Sequence, residues 1–209
     1  MLSHYRMTNL EEFVEETYKR VGITSPHQIT VKELSHRLNV WVHMSDVKSR
    51  ALEAVPGMYS MFLDSRIDPD KQRLDFLHEL CHLLRHAGNQ MTMPESFTRM
   101  QEIEAEQFVL YATMPFSMIS RLELPDRSSL AISFLAETFN VPTELAVQRL
   151  DQLQRRTIQG LFSVVTRNYE QEQKYREPAW SSETRRIINQ LDRQLISRGL
   201  PGYEDHGLV

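Results

Sequence analysis

Residues 77–86 read LHELCHLLRH, and within them His78-Glu79-Leu80-Cys81-His82 forms an H-E-x-x-H pattern. On a helix, positions four apart share one face, so two imidazoles can reach one metal ion while the glutamate flanks them. Two imidazoles, a third protein ligand and a fourth position left open to water are the donor set of a hydrolytic zinc ion, and the flanking carboxylate then serves as base. The neighbouring residues decide whether the pattern means this. At 100° per residue, Asp75, His78, Glu79, His82, Arg85 and His86 fall on one stripe, while Leu74, Phe76, Leu77, Leu80, Cys81, Leu83 and Leu84 fill the rest of the circumference. A helix so widely apolar is buried, and ionisable groups buried with it are costly unless a cation or another partner compensates them. A surface helix with two solvent-facing histidines needs no such arc. Cys81 falls on the apolar side and reads as a small buried hydrophobe.

The third ligand is the harder question. His86 lies eight residues from His78, about 12 Å along the axis, too far to share an ion with both other histidines; it reads as a cleft wall, as a residue supporting the ligands from behind, or as simply exposed. The better source is EIEAEQFVLYATMP, residues 102–115, where Glu102, Glu104 and Glu106 compete. Met100, Phe108 and Tyr111 lie within about 40° of Glu104 around the helix, whereas Glu102 and Glu106 lie roughly opposite. Glu104 is therefore expected among apolar residues, where a carboxylate wants a cation, either a metal or an arginine. The expectation is one Zn2+ held by His78, His82 and Glu104, with Glu79 as general base and no organic cofactor. An oxyanion donor is also required, and Tyr111, Tyr59 and His86 all remain candidates.

Elements must hold these residues in place. Asp68, Pro69 and Asp70 are start signals for the helix carrying the pattern, and Gly88 is its expected stop. Thr8 or Asn9 caps a helix through Lys19, with Gly22 as its end, and a second helix starts near Thr30. Two strands are expected at 39–45 and 57–65, separated by a loop with Pro56 and Gly57. Helices follow at 98–112, stopped by Pro115, then at 116–122, 128–139, 143–156, 158–175 and 182–197. The turn Asn140-Val141-Pro142 gives 128–156 a helix-turn-helix layout.

Composition narrows the function. The 209 residues are 41% hydrophobic with net charge −4, so no global field draws the chain to phosphate backbones or anionic lipid. From residue 143 onward 10 Lys and Arg face 9 Asp and Glu, which speaks against operator binding by the helix-turn-helix unit. A single cysteine excludes an intramolecular disulfide. MLSHYRMTNLEEFVEE lacks a signal-peptide layout and no apolar run is long enough to span a bilayer, so the expectation is a cytoplasmic protein.

LDFLHELCHLLRH, EIEAEQFVLYATMP and the downstream LAETFNVPTELAVQRL together resemble the ImmA/IrrE metallo-endopeptidases over about residues 57–155. The resemblance maps the family's zinc ligands onto His78, His82 and Glu104 and its catalytic glutamate onto Glu79. Cys81 stands where glycine is usual, Glu106 where asparagine is common, and Ala112-Thr113 where two aliphatics precede Met-Pro. The implied fold is α+β and mostly helical: a zincin-like core over 1–115 with a small antiparallel or mixed sheet on the H-E-x-x-H helix, a helix-turn-helix-like unit over 116–157, and a helical extension over 158–209. The implied partner is a protein substrate, a helix-turn-helix repressor whose cleavage switches genes on, with no direct nucleic-acid or membrane contact. A non-catalytic regulator that docks onto a transcription factor through its C-terminal helices, around a structural or vestigial metal site, is the competing expectation.

Overall fold

The helix caps legible in the sequence are made as hydrogen bonds in the computed structural model, which describes residues 3–55, 57–86, 94–174 and 181–200. Helix α1 (Asn9–Val21) begins at Thr8, whose hydroxyl accepts from Glu11 N while Glu11 accepts from Thr8 N, a reciprocal capping box. Gly22, at φ 73°, turns the chain out of it. Thr30 caps α2 (Val31–Leu38). Asp68 caps α3 (Pro69–Arg85) by accepting from Lys71 N, with proline at the first helical position. The expected stop at Gly88 and the loop residue Pro56 lie outside the described residues.

Among the described residues three strands, not two, make the sheet: β1 (Val40–Ser45), β2 (Arg50–Val55) and β3 (Met58–Asp64). The order is β1-β3-β2, with β1 parallel to β3 (Val42 opposite Met61) and β2 antiparallel to it (Ala51 opposite Met61). The segment RALEAV carries one β-branched residue and no aromatic, so it has little strand propensity of its own and is a strand because it pairs with β3. β3 is the central strand, hydrogen-bonded on both sides, and Met61 and Leu63 are buried in it. The edge near the H-E-x-x-H helix is β2.

Helix α3 packs against β2 and β3 on one side and α4 (Glu95–Thr113) on the other. Its buried residues Phe76, Leu77, Leu80 and Cys81 form the centre of the core. Burial pushes the Cys81 thiol up to about 12, as expected for an inert apolar filler. On α4 the contact stripe centres on Ala105 and Ala112, both fully buried, whose small side chains permit close approach. Tyr18 of α1 donates to the Ala112 carbonyl at 2.8 Å. The chain continues through α5 (Phe116–Ile119), α6 (Ser128–Phe139), α7 (Thr143–Lys174) and α8 (Ser182–Ser197).

α7 is one helix where two were expected at 143–156 and 158–175. Thr157 and Gly160 look like a break, but the Thr157 hydroxyl bonds back to Leu153 O and the helix runs through both. Gly160 has a packing reason: a Cβ there would lie 1.8 Å from the His4 carbonyl oxygen. Within α7, Arg149 is fully buried and ion-paired to Glu11 at 2.7 Å. It also donates to Met114 O, to Tyr5 Oη and to Gln152, so one guanidinium ties α1, the end of α4 and α7. Arg73 of α3 does similar work, donating to the carbonyls of Ile29, Phe139 and Asn140, while Asn140 Nδ2 donates to Asp70.

The chain divides into two compact units, Met1–Phe162 and Ser163–Val209. Residues 116–157, read from the sequence as a subdomain of their own, fall inside the first. The second holds the end of α7 and α8, which Ser181 caps by accepting from Thr184 N and whose described residues are all at least partly exposed. Among the described residues no helix is long and apolar enough to cross a membrane. The architecture is the expected one, α+β and mostly helical with a small mixed sheet.

Candidate metal centre

Every polar residue of the α3 stripe has a partner, and the partners come from three directions. Toward the sheet, Asp75 accepts from Ser49 Oγ at 2.6 Å, and Glu79 Oε2 accepts from the backbone N–H of Ala51 on β2 at 2.8 Å. Burial raises the Glu79 carboxyl above its ordinary range, against the Ala51 hydrogen bond and the nearby His78. Toward α4, His78 and His82 meet a carboxylate. Toward the end of α3, His82 meets His86, and Glu104 joins Arg85 to His86.

Among the described residues, His78, His82 and Glu102 form the group that could hold a metal ion, with ligand atoms all within 4.8 Å of one another. The Nε2 atoms of His78 and His82 are 3.1 Å apart; Glu102 Oε2 is 3.2 Å from His78 Nε2 and Glu102 Oε1 is 3.4 Å from His82 Nε2. Ligands at about 2.0–2.1 Å from a tetrahedral ion are separated by roughly 3.3–3.4 Å; the two imidazole nitrogens are near that spacing and each faces a different Glu102 oxygen, so the three groups converge closely enough to share one ion. The protonation state of His82 agrees with the geometry. Burial, helped by neighbouring His78, pushes His82 down to about 4, which leaves its imidazole neutral with a lone pair to give. Two imidazoles and one carboxylate are a donor set that suits zinc, with a corner left for water or substrate.

The carboxylate at this corner is Glu102, where the sequence pointed to Glu104. Glu104 is instead held by Arg85, whose Nε and Nη2 reach Oε1 at 2.7 and 2.6 Å, and its Oε2 lies 3.3 Å from His86 Nε2. Burial alone would raise the Glu104 carboxyl, but the hydrogen bonds from Arg85 and His86 outweigh it and hold it below its ordinary range. The reason lies in the choice of helix face. Met100, one of the residues that marked the Glu104 face as apolar, is 68% exposed. With the stripe centred on Ala105 and Ala112, Glu102 sits about 60° to one side, beside Val109, and Glu104 about 100° to the other. The Ala105–Ala112 spacing was the signal that favoured Glu102.

The three oxyanion candidates part company. Tyr111 is buried; its hydroxyl accepts from Gln152 Nε2 at 2.5 Å and donates toward Gln107, with Arg149 stacked over the ring. It belongs to the core network around Arg149. Tyr59 lies on the central strand, opposite Val40 and Glu53, and packs against the core. His86 alone contacts the candidate centre, through His82. Ser49 and Ala51, which anchor the stripe from the sheet side, were not singled out from the sequence.

A family model described as the IrrE N-terminal-like domain of a peptidase family matches residues 31–151. The phage-like element PBSX protein XkdA of Bacillus subtilis (strain 168) is 41% identical over 150 residues, 72% of this chain and 75% of that protein. YqaB of the same organism, whose function is uncharacterised, is 35% identical over 159 residues, 76% of this chain and 92% of that protein. Among solved structures, a Mycobacterium tuberculosis transcriptional regulator superposes with a TM-score of 0.51 at 16% identity, covering 69% of this chain. This chain spans 46% of that regulator, and the likeness is one of fold.

Proposed function

Because this chain belongs to the ImmA/IrrE family, as its peptidase-family match and its two Bacillus relatives show, we propose that it is a zinc-dependent endopeptidase that cuts a protein substrate. The observation that carries this reading is the pairing of His78, His82 and Glu102 at coordination spacing with Glu79 at the next position of the stripe. A structural site closes its fourth position with another ligand and has no use for a base beside it.

His78, His82 and Glu102 would hold the ion. Zinc bound there would supply Lewis acidity toward water and a scissile carbonyl. Glu79 takes the proton of the attacking water and passes it to the leaving amine, and burial, by raising its carboxyl, makes it a better proton acceptor than an exposed glutamate. The Ala51 N–H holds Glu79 Oε2 and leaves Oε1 for that proton. An extended substrate adds to the sheet along the outer edge of β2, beside Glu79, its backbone paired and its alternate side chains supplying specificity. The substrate proposed is a DNA-binding repressor of the helix-turn-helix type. Two things support it: the family resemblance, and a relative that is a protein of a phage-like element, a setting in which cutting a repressor would switch genes on.

The test is co-expression of the chain with helix-turn-helix repressors from its own genome, comparing wild type with Glu79→Gln. Cleavage is expected to fall by about 10²- to 10⁴-fold in the variant, the contribution of a positioned general base, with zinc content unchanged. A repressor bound but intact in both would favour the docking regulator instead.

A further inference from the structure

From the sequence His86 is a cleft wall, a support behind the ligands or an exposed residue, and Glu104 a ligand; the structure joins the two to each other and to His82. His82 Nδ1 and His86 Nδ1 are 2.8 Å apart, His86 Nε2 is 3.3 Å from Glu104 Oε2, and Arg85 holds Glu104 Oε1 through two nitrogens. The His86 side chain is only 7% exposed, and the Arg85 guanidinium lies 4.9 Å over the ring of Phe13 on α1.

From this chain of contacts we infer that His86 and Glu104 are positioning residues for the metal ligand His82, an inference that rests on the zinc reading of His78, His82 and Glu102. A neutral imidazole that gives the Nε2 lone pair to a cation carries its proton on Nδ1. His82 then donates from Nδ1, and its neighbour within reach is His86 Nδ1, which must accept. A neutral His86 that accepts at Nδ1 carries its own proton on Nε2, the atom facing Glu104. Glu104 accepts it as a carboxylate, and Arg85 balances that charge. Each tautomer is set by the one before it, and only one assignment satisfies all three residues with His82 as a ligand. The array therefore fixes the ring orientation of His82 and increases its basicity, as carboxylate–histidine pairs behind zinc ligands do. The glutamate two residues beyond Glu102 is held away from the ion by Arg85, which pairs with its charge, and by His86.

The test measures zinc affinity of the full-length chain by competition with a chromophoric chelator, alongside thermal melting of the metal-free protein. His86→Phe is expected to weaken zinc binding by about 10- to 100-fold, the usual effect of removing such a partner, while metal-free melting stays near wild type. Glu104→Gln keeps the shape of the array but removes its charge, and is expected to weaken binding several-fold. Unchanged affinity in a folded His86→Phe overturns the inference. Should His86→Phe fail to fold, Glu104→Gln decides: weakened binding supports it, wild-type affinity overturns it. A wild-type chain that binds no zinc overturns the metal reading itself, and this inference with it; a wild type that binds tightly beside variants that bind equally tightly overturns the inference alone.

Discussion

Two glutamates two positions apart on α4 have taken different partners, and the difference is a matter of about 160° around one helix. Glu102 faces the two imidazoles of the H-E-x-x-H pattern; Glu104 faces Arg85 and His86. Glu102→Ala is therefore expected to abolish stoichiometric zinc binding, and equilibrium dialysis followed by elemental analysis checks it. Retention of a full equivalent of zinc would move the third ligand elsewhere. A second residue-scale prediction concerns Asp64 at the end of β3, whose carboxyl Arg66 holds down to about 2 through side-chain and backbone hydrogen bonds. The native state thus binds this proton more weakly than the unfolded chain, whose carboxyl titrates near 3.8. The stabilisation is present above that value and is lost as pH falls toward about 2. Asp64→Asn should flatten the fall in melting temperature across that window, measured by circular dichroism, and leave the neutral-pH site untouched.

At the scale of elements, caps and close approaches decide where each helix lies. The Asp68 carboxylate at the start of α3 accepts from Lys71 N, and Asp68→Ala is expected to cost about 1 kcal/mol of stability, as lost N-caps do; denaturant unfolding measures it. Gly160 of α7 carries the opposite expectation from an ordinary helical glycine. Glycine to alanine within a helix normally gains about 1 kcal/mol, but here the new methyl meets the His4 backbone. Gly160→Ala should be destabilising by about 1–3 kcal/mol, the range for forced overpacking, and an increase in stability would show that residues 3–8 are free to step aside. The sheet teaches a similar lesson. RALEAV has a weak strand signature, yet as β2 it supplies the N–H that holds Glu79.

For the molecule as a whole, one buried ion pair joins parts of the chain far apart in sequence. Arg149 and Glu11 are 138 residues apart, and both are almost wholly removed from solvent. Leaving one of them unpaired is far costlier than the pair is stabilising, so Arg149→Met is expected to lose about 3–5 kcal/mol, read from chemical denaturation. A double change that also replaces Glu11 by an apolar residue of similar size should recover part of that loss. The same pair explains why residues 116–157 fall within the first compact unit: the helix that would present a recognition surface is anchored through Arg149, and Asn140 just before it is bonded to Asp70 of α3.

What the sequence determined by itself was whatever depends on neighbours within a few residues. The caps at Thr8, Thr30 and Asp68, the glycine end at Gly22, the single polar stripe of α3 and the face shared by His78 and His82 all follow from local spacing, which the helix converts directly into geometry. Which side of one element meets another was set by contacts across the fold. The middle position of β3, the recruitment of β2, the continuity of α7 past Gly160 and the choice of Glu102 over Glu104 depend on contacts between segments distant in sequence. Helical periodicity shows that a stripe exists and leaves its centre open when apolar residues flank both sides. On α4 the small pair Ala105 and Ala112 fixed that centre, because helices approach most closely where side chains are smallest.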